Sequence, residues 1–104
     1  MMLIHFVSLA LPVITNHDLV ERNVFESLST SYFVQASGIP RPDATWTRDG
    51  VELKASDRVI ISDDGDTYRL EVKDLVIADG GLYQCKISNR LGAVTQEAKL
   101  NLTS

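Results

Sequence analysis

Short stretches of alternating apolar and polar residues, each closed by turn residues, recur along almost the whole chain. No segment carries the three-to-four-residue apolar spacing of a helix, so the pattern predicts an all-β protein of antiparallel strands. Thr67 to Lys73 alternates through Tyr68, Leu70 and Val72, Ser31 to Ser37 through Tyr32, Val34 and Ala36, and Leu82 to Ser88 through Tyr83, Cys85 and Ile87. Successive side chains on a strand point to opposite faces, so each set predicts one buried face. Ala44 to Arg48 carries Trp46 inward, Arg58 to Ser62 turns Val59 and Ile61 inward, and Ala93 to Thr103 buries Ala98, Leu100 and Leu102. Leu75 and Ile77 are expected to cap the bottom of this core. Pro12 to Thr15 reads as an edge strand, where the missing proline amide costs little. Leu19 to Val24 continues it along the opposite edge.

The turns fit the same plan. Asp49-Gly50 is a hairpin signal, because glycine accepts the positive φ of tight hairpin turns. Val51 to Leu53 forms a short return strand after it. Gly38 to Pro42, Asp63 to Asp66 and Asn89 to Gly92 close the other strands. A chain of 104 residues is one domain by length. The domain is expected over residues 12–104, with residues 1–11 an apolar extension: a vector-derived addition, a linker or a signal remnant.

The segment Asp79-Gly80-Gly81-Leu82-Tyr83-Gln84-Cys85 reads D-x-G-x-Y-x-C. It resembles the strand-F signature of immunoglobulin-like domains. Gly38, Pro40, Pro42, Trp46, Asp49-Gly50, Arg58, Tyr68, Leu70, Asn89 and Gly92 extend the resemblance over roughly residues 12–103, in the pattern of the intermediate set. The segment from Asn23 to Thr30 departs from it, because the family usually has a glycine-containing turn there. Within the set, the motif G-x-P-x-P-x-x-x-W with an unpaired strand-F cysteine is similar to modules of titin, twitchin and related intracellular muscle and cytoskeletal proteins. The resemblance implies an immunoglobulin-like β-sandwich of two antiparallel sheets. It implies a structural core of Val34, Trp46, Leu70, Tyr83 and Cys85, with Val34 where secreted members carry the second cysteine. It also implies that the Tyr83 hydroxyl reaches the backbone near Asp79, that Arg58 and Asp79 form an ion pair, and that the termini emerge at opposite ends.

Composition then narrows the function classes. Net charge is −4 and the ten Lys and Arg residues are scattered, which argues against nucleic acid and an anionic membrane surface. One cysteine makes no internal disulfide, and small extracellular domains usually depend on such bonds, so the expected location is cytoplasmic, in sarcomere or cytoskeleton. Two features point outward: Ser8 and Ala10 have the spacing of a signal-peptidase site, and Asn101-Leu102-Thr103 is a formal glycosylation acceptor. The apolar opening lacks a leading cation, however, and is too short to span a bilayer.

Candidate chemistry is sparse. His5 and His17 stand apart from any nucleophile. Cys85 sits between inward-facing neighbours and reads as an inert buried thiol. Asp63, Asp64 and Asp66 around Gly65 could ligate a cation, but their spacing matches no calcium loop, and acidic residues beside glycine suit a turn. The expectation is a non-enzyme with no cofactor or metal. It is read as a structural and protein-binding module, one unit of a tandem array, monomeric in isolation, meeting other proteins and neighbouring domains of its own chain. The candidate binding loops hold Gly38, Pro40, Arg41, Asn89 and Arg90. Alternatives are an extracellular adhesion or receptor domain lacking its disulfide, and a regulatory module attached to a muscle protein kinase.

Overall fold

The computed structural model describes residues 8–104. The apolar opening as far as Val7, with His5, lies outside the described residues. Nine strands follow in order: β1 (Ala10–His17), β2 (Arg22–Phe25), β3 (Thr30–Ile39), β4 (Asp43–Arg48), β5 (Val51–Glu52), β6 (Val59–Asp64), β7 (Thr67–Val72), β8 (Gly81–Asn89) and β9 (Gly92–Thr103). A single 3-10 turn, Ile77–Asp79, precedes β8. The strands form a four-stranded sheet in the order β1-β3-β7-β6 and a five-stranded sheet in the order β2-β9-β8-β4-β5. All pairings are antiparallel except β2 with β9, which is parallel.

The inward-facing residues of both sheets make one core. Tyr32, Val34, Tyr68, Leu70 and Val72 come from the four-stranded sheet, and Trp46, Tyr83, Cys85, Ile87 and Leu100 from the other. Cross-strand pairing explains the layering: Tyr32 stands opposite Leu70, Val34 opposite Tyr68, and Trp46 opposite Cys85. Burying large side chains of this kind contributes roughly 1.5–3 kcal/mol each.

Three local differences from the sequence reading have physical causes. β1 begins at Ala10 rather than Pro12, because Ala10 pairs with Ile39 and accepts a hydrogen bond from Asn89. Ile61 and Ile77 remain 37% and 50% exposed. Ile61 is on β6, the outer edge of its sheet, where no further strand shields an inward-leaning side chain. Ile77 opens the 3-10 turn, and Leu75 alone plugs the core there. The 23–30 segment solves its turn without glycine: Ser27 takes φ 72°, and its N–H donates to the Leu75 carbonyl.

Candidate functional site

The two ends of the sandwich hold the residues singled out by sequence. At the end where β1 begins, Asn89 acts as a clamp. Its Nδ2 donates to the carbonyls of Ala10 and Pro40, at 2.9 and 3.1 Å, and its Oδ1 accepts from the Leu91 N–H. Gly38 lies inside this junction. A Cβ there would stand 2.9 Å from Pro42 Cγ and 3.2 Å from Asn89 Nδ2, so only glycine fits without displacing a neighbour. Arg41 is also engaged. Its Nε donates to the Gly65 carbonyl, its Nη2 pairs with Asp63 at 3.3 Å, and the guanidinium stands 4.9 Å from the Tyr68 ring centre. Tyr68 in turn donates its hydroxyl to the Pro42 carbonyl. Of the five loop residues proposed for binding, Gly38 and Asn89 hold the end together and Arg41 is braced. Pro40 and Arg90 present free surface.

At the opposite end, Asp79 is buried and receives two arginines. Arg58 Nη2 bonds one carboxylate oxygen, and Arg48 Nη1 lies 3.5 Å from the other. The same carboxylate accepts the Val76 N–H at 2.8 Å, fixing the turn before β8. The Tyr83 hydroxyl donates to the Asp79 carbonyl at 2.6 Å. Arg48 was not singled out by sequence, since it lies far from Asp79 along the chain and meets it only through the register that sets it opposite Tyr83. Two sequence landmarks also turn out to be one contact. Gly81 has φ 149°, and a Cβ on it would fall 2.5 Å from the Asp49 carboxylate, which accepts the Leu82 N–H.

A second bracket missed by sequence joins β2 to β3. Arg22 pairs with Asp18 at 3.1 Å, donates to Thr30 Oγ1 and the Ser31 carbonyl, and lies 4.2 Å from the Tyr32 ring centre. An arginine over an aromatic face is attractive by roughly 0.5–2 kcal/mol.

The titratable groups describe a dry interior. Burial pushes the Cys85 thiol up to about 12, and burial likewise raises Tyr32, Tyr68 and Tyr83. A thiol held protonated is a poor nucleophile. His17 Nδ1 accepts the Leu19 N–H at 3.1 Å. Asp63 belongs to the β6–β7 ladder and pairs with Arg41. No pocket and no cluster of three or more potential metal ligands occurs among the described residues. No described helix is long and apolar enough to cross a membrane.

The paired sheets, the central tryptophan, the tyrosine bonded back to Asp79 and the parallel β2–β9 pair define an immunoglobulin-like sandwich. The family model described as the immunoglobulin I-set domain matches residues 15–102, and the chain belongs to that family. It is 33% identical over 81 residues to the titin homolog of Caenorhabditis elegans, covering 78% of this chain and 0% of that protein. It is 29% identical over 96 residues to the cell adhesion molecule Dscam2 of Drosophila melanogaster, covering 88% of this chain and 5% of that one. It is 43% identical over 68 residues to the muscle M-line assembly protein unc-89 of Caenorhabditis elegans, covering 64% and 1%. The chain thus spans a small fraction of these relatives. Among solved structures, titin domain M7 superposes with a TM-score of 0.90 at 30% identity, covering 95% of this chain and all of that one. The titin domains z1z2, solved in complex with telethonin, superpose with a TM-score of 0.86 at 29% identity, covering 92% and 48%.

Proposed function

We propose that this domain is a non-catalytic structural and protein-binding module, one unit of a tandem array in a large sarcomeric or actin-associated cytoskeletal protein. The observation that carries the reading is polarity. Ala10 is held beside Asn89 and Gly92, where β9 begins, and Thr103 closes the same strand. Twelve residues of strand separate these points by roughly 35–40 Å. A rigid body entered at one end and left at the other suits head-to-tail linkage. Similarity to titin and unc-89 supports a muscle setting, and the telethonin complex of the related titin domains supports protein partners. The net charge of −4 supports binding directed at proteins rather than DNA.

Similarity to Dscam2 and the tripeptide at Asn101 favour a second reading, an extracellular adhesion domain. Against it, Asn101 Nδ2 is occupied by Glu21 and Asn23, both at 3.1 Å. An antibody raised against the domain distinguishes the two readings in tissue sections. Striated or filament-associated staining of a very large polypeptide is expected. Cell-surface staining with a glycan on Asn101 would replace the first reading by the second.

A further inference from the structure

Three aspartates in this chain stand directly before glycine: Asp49-Gly50, Asp64-Gly65 and Asp79-Gly80. Such a pair is open to spontaneous rearrangement of its backbone, because no Cβ on the glycine hinders its amide nitrogen. That nitrogen attacks the aspartate Cγ, a C–N bond forms, a carboxyl oxygen leaves as water, and a five-membered succinimide results. Water then opens the ring at either carbonyl. One opening restores aspartate, and the other leaves the main chain running through the side-chain carbon as isoaspartate, with no net change in atoms. Both reacting groups must be free to meet, so the fold decides among three pairs that the sequence makes alike.

Asp79 is the most restrained. Its buried carboxylate is held by Arg58, Arg48 and the Val76 N–H, and the Gly80 N–H donates to the Ile77 carbonyl at 3.1 Å. Asp49 is held through its carboxylate. Its Oδ1 accepts the Leu82 N–H at 2.8 Å, and its own N–H donates to the Leu82 carbonyl at 2.9 Å, while Gly50 stays exposed. Asp64 has neither restraint. It and Gly65 are exposed at the β6–β7 turn, where Gly65 takes φ 62°. Among the described residues nothing bonds the Asp64 carboxylate, and the ion pair of that turn goes to its neighbour Asp63. The Gly65 N–H has no acceptor among them either.

We infer that Asp64-Gly65 is the site at which this chain converts to isoaspartate, with Asp49 slower and Asp79 protected. The new linkage adds one carbon to the main chain directly before two engaged carbonyls. Gly65 accepts Arg41 Nε at 3.0 Å, and Asp66 accepts the Ala36 N–H at 2.9 Å. Conversion therefore loosens the bonds that hold this turn to β3 and to the segment before β4. The reaction consumes only water and returns it, so it proceeds inside or outside a cell.

Incubating the full chain at physiological temperature and pH in heavy-oxygen water reads the site. Each ring opening takes up one heavy oxygen, and electron-transfer fragmentation of the peptides locates the isoaspartate. Asp64 is expected to convert at least about tenfold faster than Asp49, since a hydrogen bond to a charged group must break before Asp49 can react. In urea the three pairs should convert at similar rates. Asp64→Glu should abolish the reaction at this turn, because the larger ring closes far more slowly, and leave the other two pairs unchanged. The isoaspartate form, separated by chromatography, should melt below the intact chain. No conversion at Asp64, native conversion of Asp49 or Asp79 at a matching rate, or a lead for Asp64 that persists in urea would overturn the inference; equal melting of the two forms would overturn the loosening.

Discussion

Replacing Asp79 should be the most damaging single polar change in this domain, and its cost can be worked from the geometry. Asp79→Ala removes the acceptor of the Val76 N–H, a bond to a charged group that contributes roughly 1.5–3 kcal/mol. It also releases Arg58 and Arg48, whose side chains are 39% and 33% exposed. Water can therefore take up both guanidinium groups, and each pair contributes only roughly 0.5–1 kcal/mol. The expected loss is about 3–4 kcal/mol, a large part of the roughly 5–15 kcal/mol stability of an ordinary domain. For a chain of this length that lowers Tm by roughly 15–25 °C. Urea unfolding followed by the fluorescence of Trp46, the sole tryptophan, measures it directly. Asp79→Asn keeps an acceptor for Val76 without the charge and should cost about half as much. The Tyr83 bond goes to the Asp79 main chain, so it survives both changes and serves as an internal control. A cost below about 1 kcal/mol for Asp79→Ala, or equal costs for the two substitutions, would refute this division of roles.

Cys85 should resist a thiol reagent in the folded protein and react once denaturant is added; rapid native labelling would contradict its burial. Because folding raises its pKa from 9.0 to about 12, unfolding above pH 9 releases a proton, and stability should fall as pH rises from 9 towards 12, by up to about 1.4 kcal/mol per pH unit. Cys85→Ala should remove the thiol's part of that slope in pH-dependent urea titrations, leaving the part due to the tyrosines. Val34→Cys should allow a bridge to Cys85 and raise stability by about 2–4 kcal/mol under oxidising conditions, with no gain in the presence of reductant; failure to form the bridge would break the proposed equivalence of Val34 with the second cysteine position. Tyr83→Phe should cost roughly 1–3 kcal/mol by orphaning the Asp79 carbonyl. Tyr32→Phe should cost almost nothing, because the buried Tyr32 hydroxyl has no hydrogen-bond partner among the described residues; thermal melts of the two variants should differ accordingly.

The interior was legible because alternation and burial share one cause. Tyr32, Val34, Tyr68, Leu70, Tyr83, Cys85 and Ile87 follow one another at a period of two, and all are buried. The Arg58–Asp79 pair came from the family resemblance, whereas Arg48 joins it through a register that no local pattern encodes. Edges and ends were harder to read. Ile61 carries the right period but sits on an outer strand, so its burial depends on a neighbour that sequence does not supply. Phe25 and Leu28 fall in the segment where the family's turn pattern is absent, so their exposure gave no signal before the fold was known. Asn89 and Arg41 read as recognition residues because they occupy loops. Their side chains also bond to backbone from distant parts of the chain, which composition and spacing do not reveal.

The absence of a disulfide is met at the perimeter as well as in the centre. Besides the Arg22 bracket between β2 and β3, three polar ties join one sheet to the other. Asn89, closing β8, holds the Ala10 carbonyl of β1. Tyr68 of β7 bonds the Pro42 carbonyl, directly before β4. Arg58, directly before β6, bonds Asp79, at the entry to β8. Each links residues distant in sequence, as a disulfide would, but through a bond that reducing conditions leave untouched. Two of these ties end on a backbone carbonyl, so their registry depends on strand position rather than on a second side chain. Their gain is smaller than a covalent link, at about 1 kcal/mol for an ordinary hydrogen bond and more for a charged one. Three ties spread over both ends nevertheless resist the sliding of one sheet across the other, a displacement that a single central bridge between Val34 and Cys85 would constrain at one point only. The arrangement therefore supplies orientation of the two sheets at the rim and cohesion at Trp46 in the centre, with no covalent cross-link needed for either.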